Sequence, residues 1–194
     1  MMQYPEIAIP LRSVHLWRYT PWKRIHPTKV EEMPAADIIK ISAGNDSEME
    51  DSDEIARSFI HSISKVCKSI TLNDETLELD LRCSGHICAG EISLQSSGNS
   101  TLIIRISGDA GWTGIRILGE VTGTLSVAMI NDLSGDGHLL RCEDWSVGRD
   151  STLEFTTLSA GGFLNKSDIR VILTHTGAEV RGGVASNGYG SRHD

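Results

Sequence analysis

Glycine is almost confined to the second part of this 194-residue chain. Of its nineteen glycines, Gly44 alone precedes Gly85, and the other eighteen lie between Gly85 and Gly190. Glycine allows the backbone to turn tightly, so a change in its use marks a boundary between two kinds of structure. We therefore predict an N-terminal region, residues 1–68, and a turn-rich region, residues 69–194.

Apolar residues in the turn-rich region recur at every second position. Leu77, Leu79 and Leu81 alternate with Glu78 and Asp80. Similar apolar segments follow at residues 102–106, 115–117, 125–130, 153–155 and 169–173. A period of two is typical of β-strands, and glycine or Asn/Asp turns separate these segments roughly every ten to thirteen residues. Because no helical stripe interrupts them, the region is predicted to be all-β.

Two architectures fit strands of this spacing, a β-sandwich or barrel and a β-helix solenoid. Sandwich hairpins favour Asn-Gly and Asp-Gly turns. Asp136-Gly137 and Asn187-Gly188 are the only such dipeptides in the sequence. Periodicity alone therefore favours the β-helix only slightly and leaves both architectures open.

The first part of the N-terminal region is rich in proline. All five prolines of the chain lie before residue 35. Proline removes a backbone donor and fixes φ, so long regular elements are not expected in this arm, residues 1–41. Its aromatic residues Trp17, Tyr19 and Trp22 are predicted to pin it onto a larger body. Residues 44–53 are acidic and poor in large apolar residues, which is typical of a flexible linker.

One short amphipathic helix is predicted over residues 53–67. Apolar residues recur there at three- and four-residue spacing and form one apolar face, at Ile55, Phe59, Ile60, Ile63 and Val66. Asp51, Ser52 or Asp53 is the expected N-cap. Because a solenoid needs a cap at each end, we expect this helix to plug the first turn of the β region.

Composition excludes several classes of protein. The net charge of −8 and the pI of about 5.3 argue against nucleic acid as a partner. No segment approaches the ~20 apolar residues that span a bilayer. The N-terminus lacks the basic and apolar stretches of a secretory signal. A cytoplasmic protein without a membrane partner is therefore expected.

Two groups of residues carry metal- or sulfur-binding chemistry. Cys83, His86 and Cys88 fall within six residues at a predicted turn, and thiolate and imidazole bind zinc and iron–sulfur clusters. The chain has no Cys-x-x-Cys or His-x-x-His pair to complete such a site, so a structural turn is the alternative interpretation. His138 and Cys142 stand four residues apart on a predicted strand and therefore share one face.

The C-terminal residues offer a third candidate. His193 and Asp194 are adjacent, and a carboxylate beside an imidazole can orient it. A frayed terminus is the alternative interpretation of these two residues.

Two stretches of the sequence carry recognisable motifs. Residues 16–22 read Leu-Trp-Arg-Tyr-Thr-Pro-Trp. Residues 150–194 contain a strand, a Gly161-Gly162 turn, a polar–aliphatic strand, a Gly-Ala-Glu corner at 177–179 and a glycine-rich end closing in His193-Asp194. The first stretch resembles the WRYT signature of SufD-type proteins. The second is similar to the corresponding pattern of the SufB/SufD family of iron–sulfur cluster assembly proteins.

This resemblance implies a right-handed parallel β-helix, preceded here by the irregular arm and one short α-helix. It also implies association with a SufB- or SufD-type subunit or a second copy, together with the ATPase SufC. The implied cofactor is a transient iron–sulfur cluster, although the family's cluster-holding residues lie largely outside the matched stretches. Family members are also longer, and the helical segment with which they dock the ATPase is not part of this sequence.

On this basis we expect a non-enzymatic scaffold that associates through its C-terminal β region, as a homodimer or hetero-oligomer. Two other functions stay open. One is a β-helix enzyme acting on polysaccharides, for which Asp132, Asp136, Arg141 and Asp144 are candidates, although the aromatic content of 5% is low for sugar binding. The other is a plain interaction module that holds no cluster.

Overall fold

Parallel β-strands stacked in about five turns dominate the computed structural model, which describes residues 4–188 and 191–194. Its α-helices are α1 (Trp22–Ile25) and α2 (Ile55–Ile63), and short 3-10 helices lie at Tyr4–Glu6 and His15–Trp17. Its strands are β1 (Asp37–Ile38), β2 (Lys40–Ile41), β3 (Asn45–Asp46), β4 (Cys67–Asn73), β5 (Thr76–Cys83), β6 (Ile87–Gly108), β7 (Trp112–Leu133), β8 (His138–Val147), β9 (Thr152–Ser159), β10 (Leu164–Leu173), β11 (Glu179–Ser186) and β12 (Arg192–His193). None of the described helices is long and apolar enough to cross a membrane.

Each turn of the solenoid, here called a rung, contains one long bent strand or two shorter ones. The five rungs are β4 with β5, β6, β7, β8 with β9, and β10 with β11. Strands of successive rungs pair in parallel, with partners 24 to 28 positions apart, as in Ile87 with Trp112 and Trp112 with His138. The predicted parallel β-helix is therefore confirmed, and a sandwich of antiparallel hairpins is excluded.

Side chains that alternate along the strands fill the interior of the solenoid, its lumen. Leu79, Ile104 and Met129 occupy equivalent positions on three successive rungs and form one buried column. Gly119 lies opposite Trp145, where a Cβ on residue 119 would approach Trp145 Cε3 to 2.2 Å. The period-two pattern of the sequence thus marks the residues that face the lumen.

Helix α2 is shorter than predicted. It begins after Glu54, whose carboxylate accepts hydrogen bonds from the amides of Ala56 and Arg57, and it ends before Ser64. The expected caps Asp51, Ser52 and Asp53 were therefore wrong. Val66 also lies outside the helix, because the chain must be extended by Cys67 to pair with Glu91 on the next rung.

Helix α2 does not plug the first rung, which corrects the sequence-based expectation. Its apolar face packs on outward-facing apolar residues of four strands, at Ile87, Ala89, Trp112, Leu140, Cys142 and Leu164. The first end of the lumen is instead covered by Ile39 and Ile41 from the arm. The outer face of the solenoid thus has its own apolar core, and α2 stays on it.

The acidic linker lies against the solenoid and does not extend freely as predicted. Asn45 and Asp46 form β3, antiparallel to β4. Met49 is buried, and the carbonyl oxygen of Glu50 accepts a hydrogen bond from Arg116. Backbone pairing and one apolar anchor therefore fix a segment whose composition is typical of a linker. The division at residue 68 stays a prediction, although the first long strand, β4, begins beside it at Cys67.

Candidate functional site

The last rung, β10 with β11, differs from the others because it has one uncovered side. Every residue of β11 is exposed, and over residues 179–185 the side of β11 away from β9 pairs with no described strand. Strand β12 covers only the start of β10, at Leu164 and Asn165. Ile172, 65% exposed, and Val184, 67% exposed, lie on this rung. The C-terminal end of the solenoid is therefore an open strand edge.

The lumen at this end opens into a cavity of about 350 Å³, lined by both polar and apolar residues. Buried Arg141 lies at its base, 2.8 Å from Glu143, and donates to the Thr157 hydroxyl at 3.1 Å. Glu143 also accepts from the indole of Trp145 at 2.8 Å. Asn165 is 2% exposed, and its Oδ1 has no hydrogen-bond partner among the described residues. An apolar core thus gives way to an ion pair and polar groups at the open end.

On the outer side of the last rung, the N-terminal arm is clamped by a buried lysine. Lys166 is 4% exposed, donates to the Leu16 carbonyl at 2.8 Å and lies 5.1 Å from the centre of the Trp17 ring. Its Nζ is 3.9 Å from a carboxylate oxygen of Asp194. Burial lowers the pKa of Lys166, and the charge of Asp194 opposes that effect.

Residues of the N-terminal arm and of the C-terminal stretch 191–194 meet at this clamp. The Thr20 hydroxyl donates to the carboxylate of Asp194, and Arg192 donates to the Tyr19 carbonyl at 2.7 Å. These contacts join residues more than 170 positions apart in the sequence. Both motif-bearing stretches, residues 16–22 and 150–194, therefore converge on the last rung.

A second buried cation, the guanidinium of Arg57, holds α2 on the outer face of the solenoid. Arg57 is 1% exposed and binds Asp144 at 2.6 Å and Asp168 at 2.5 Å. Burial alone would lower the pKa of Arg57, but the hydrogen bonds that it donates to Asp144 and Asp168 outweigh burial and raise the pKa above its ordinary value. Arg57 therefore stays charged and links the helix to β8 and β10.

The predicted pair His138 and Cys142 lies on one face of β8, but the two residues do not form a joint site. Four residues of extended strand separate them by about 13 Å, at ~3.3 Å per residue. Cys142 is fully buried under α2, and burial raises the pKa of its thiol. His138 stacks on Phe163, and burial followed by the charge of Arg24 lowers its pKa. One metal ion cannot bridge side chains so far apart.

The predicted group of Cys83, His86 and Cys88 does not converge on one point either. Cys83 and Cys88 are buried in the lumen, whereas His86 is exposed on the turn between them. Among the described residues, no group of three or more His, Cys, Asp or Glu side chains could hold a metal ion. The backbone of His193 pairs with Asn165, and its side chain lies outside the described part of the structure.

The acidic cluster considered for a polysaccharide-active enzyme is not assembled either. Arg141 faces the lumen, whereas Asp144, an odd number of residues away, faces outward and binds Arg57. Asp132 is exposed near the end of β7, and Asp136 is exposed on the turn that follows it. These side chains therefore point to different surfaces and share no groove.

Sequence reasoning missed Arg57, Glu143, Lys166 and Asp168. Arg57 interrupts the apolar stripe of α2 at a position that faces inward, and Lys166 and Asp168 alternate on one face of a strand with apolar neighbours. A charge inside an apolar face is the signal that could have identified them, because such a charge is buried only when it is paired.

Comparisons with known proteins give no match to a family model, to a curated protein or to a solved structure.

Proposed function

We propose that this protein is a non-enzymatic scaffold subunit of iron–sulfur cluster assembly that binds a second β-solenoid subunit through its open last rung. The partner is a second copy of this chain or a related SufB- or SufD-type subunit, working with an ATPase of the SufC kind. The observation that carries the proposal is the uncovered edge of β11 above an unfilled lumen.

The free edge of β11 supports association by strand pairing. An unpaired row of backbone N–H and C=O groups is a template for another strand. Residues 179–185 present such a row, with Val180 and Val184 on the lumen side of it. Arg181 pairs with Glu154 and Glu179, and among the described contacts these are the only salt bridges that shield this strand. A strand of equal length therefore fits here without displacing any described strand.

The open lumen supports a solenoid partner over an isolated peptide strand. The cavity exposes Ile169 and Val184 beside the Asn165 amide and the Thr157 hydroxyl. A strand added at the edge would pair with the backbone but would leave these inward groups uncovered. The terminal rung of another solenoid would bring inward side chains of its own, as neighbouring rungs do in this structure.

The assignment of this protein to iron–sulfur cluster assembly is supported by the resemblance of two stretches of its sequence, residues 16–22 and 150–194, to the SufB/SufD family. Those stretches lie far apart in sequence and pack on each other beside the last rung, through Thr20 and Asp194 and through Lys166 and Leu16. Because both stretches hold the surface beside the last rung, their resemblance to the family supports a shared role in positioning that surface for assembly.

Light scattering on two matched variants tests the association. Val184→Lys places an ammonium group over the lumen, whereas Ala185→Lys places the same charge on the outward face of the same strand. Wild-type protein at tens of micromolar is expected to be a dimer or larger. Val184→Lys should weaken association at least roughly tenfold, which corresponds to about 1.4 kcal/mol, and Ala185→Lys should do so less. A monomeric wild-type protein would contradict the proposal.

Anaerobic reconstitution with ferrous iron and sulfide tests the assignment to cluster assembly. Visible absorption that persists after desalting in the assembled protein, and falls in Val184→Lys, is the expected result. An intact assembly that retains no iron or sulfide would instead favour the plain interaction module.

A further inference from the structure

Two cysteines meet in the lumen at the opposite end of the solenoid. Cys83 ends β5 and Cys88 is the second residue of β6, so only the turn of residues 84–86 lies between the two strands. Cys83 is 1% exposed and Cys88 is fully buried, while the three turn residues are exposed. The two thiols therefore lie one layer beneath the surface of the protein.

The two thiols are in hydrogen-bond contact with each other. Cys88 Sγ also lies 3.5 Å from the Thr113 hydroxyl, and Cys83 Sγ lies 3.8 Å from the Leu81 carbonyl. The bond from Cys83 lowers the pKa of Cys88, whereas the same bond and burial raise the pKa of Cys83. The shared proton thus stays on Cys83, and Cys88 is the more acidic thiol.

The arm closes this corner from outside. Strand β1 pairs Asp37 with Cys88, and a Cβ on Gly85 would approach the Asp37 carboxylate to 2.2 Å. Because both thiols are at most 1% exposed, an oxidant reaches them only when this corner opens.

We propose that Cys83 and Cys88 are a redox modification site, which hydrogen peroxide converts reversibly into an intramolecular disulfide. The Cys88 thiolate attacks one peroxide oxygen, the O–O bond breaks, and the departing hydroxide takes up a proton to form water. This leaves a sulfenic acid on Cys88. Cys83 then loses its proton and attacks the Cys88 sulfur, so that the S–S bond forms, the S–O bond breaks and a second water leaves. The two thiols together lose two electrons, and peroxide gains them.

The disulfide would tie β5 to β6 at the corner that β1 covers. Both thiols face the lumen from the two sides of one short turn, and a disulfide would bring their sulfurs to about 2.05 Å. The last rung lies at the other end of the lumen and should be unaffected, so this modification is independent of the proposed association.

Thiol counting after oxidation tests the site. Reduced protein is treated with a small excess of hydrogen peroxide, quenched, denatured and alkylated, and its intact mass and peptides are measured. The expected result is loss of two of the four free thiols and a peptide internally linked between residues 83 and 88. Four remaining thiols, or a disulfide that includes Cys67 or Cys142, would overturn the proposal.

Matched variants separate the roles of the two thiols. Cys83→Ser should accumulate a sulfenic acid on Cys88, which dimedone traps, and Cys88→Ser should trap far less at Cys83. Cys67→Ser, which alters the most exposed cysteine, should form the disulfide as the wild type does. Equal trapping in both variants would overturn the assigned order of steps. The peptide map of wild-type protein decides the disulfide itself even if a serine variant fails to fold.

Discussion

The two ends of this solenoid are finished in opposite ways. At the first rung, Ile39 and Ile41 cover the lumen, and β2 and β3 pair antiparallel with β5 and β4. At the last rung, β11 keeps an exposed edge and the lumen ends in an open cavity. Closed ends prevent a solenoid from associating, whereas open edges promote it. The arm thus closes one end, and the association that we propose uses the other.

The largest expected effect comes from removing the cation that joins α2 to the rungs near the open end. Arg57→Met leaves Asp144 and Asp168 without their buried partner, and we expect a loss of about 3–5 kcal/mol in the free energy of unfolding. Urea titration measures it. Arg181→Met is the control, because its exposed pairs should contribute no more than about 0.5 kcal/mol. Equal losses in the two variants would mean that the Arg57 network does not hold the helix.

Shortening one aliphatic side chain at each end compares the two ends directly. Ile39→Ala opens a cavity in the covered end, where residue 39 is 1% exposed, and should cost about 2–4 kcal/mol. Val184→Ala at the open end, where the side chain is 67% exposed, should cost less than about 0.5 kcal/mol in the dilute protein. Urea titration of both variants at low concentration provides the measurement. Similar costs at both ends would contradict the contrast between them.

The clamp between Thr20 and Asp194 tests whether the arm also stabilises the last rung. Thr20→Val removes a buried hydroxyl that donates to a carboxylate, and about 1–2 kcal/mol of stability should be lost. Thr28→Val is the matched control, because its hydroxyl makes only an exposed contact with the Lys29 carbonyl. A Thr20→Val protein as stable as this control would show that the two motif stretches touch without stabilising each other.

The pH dependence of stability should be sensitive to His26, which packs against Phe59 of α2 and against Tyr4 and Trp22 of the arm. Burial lowers its pKa from the ordinary value of 6.5, and the Thr28 carbonyl opposes this effect. The unfolded chain then binds the proton more readily than the folded one, so this contribution is present above pH 6.5 and is lost as the pH falls below it. Urea titrations at pH 7.5 and 5.5 should show a smaller loss in His26→Gln than in wild type. If His26→Gln lost as much stability as wild type between these two pH values, groups other than His26 would determine the pH dependence.

The parts of the fold that the sequence predicts correctly are those where one physical rule dominates. Leu77, Leu79 and Leu81 face a continuous apolar lumen, so a period of two is sufficient to place them. The linker was predicted wrongly because its backbone bonds and the single anchor Met49 leave little trace in composition. The position of α2 was also wrong, since an apolar stripe shows that a helix needs a partner surface without showing which one.

The candidate site was harder to predict because its groups come from remote segments. The Arg57 network joins α2 to β8 and β10, and Thr20 reaches Asp194 across 174 positions. Local patterns emphasised His138 and Cys142, which are neighbours in sequence yet too far apart for joint chemistry. Residue type identifies potential ligands, but only the register of the rungs decides which of them meet.

Hydrogen exchange of β11 and β6, followed at high and low protein concentration, tests most directly whether the open rung is where a second subunit binds. Amides of β6, which is paired on both sides, should exchange at the same slow rate at either concentration. The amides of β11 that point away from β9 should be protected at high concentration and exchange much faster on dilution, because only a partner covers that edge. If β11 exchanges at one rate regardless of concentration, fast or slow, no second subunit binds there and the proposed scaffold role fails.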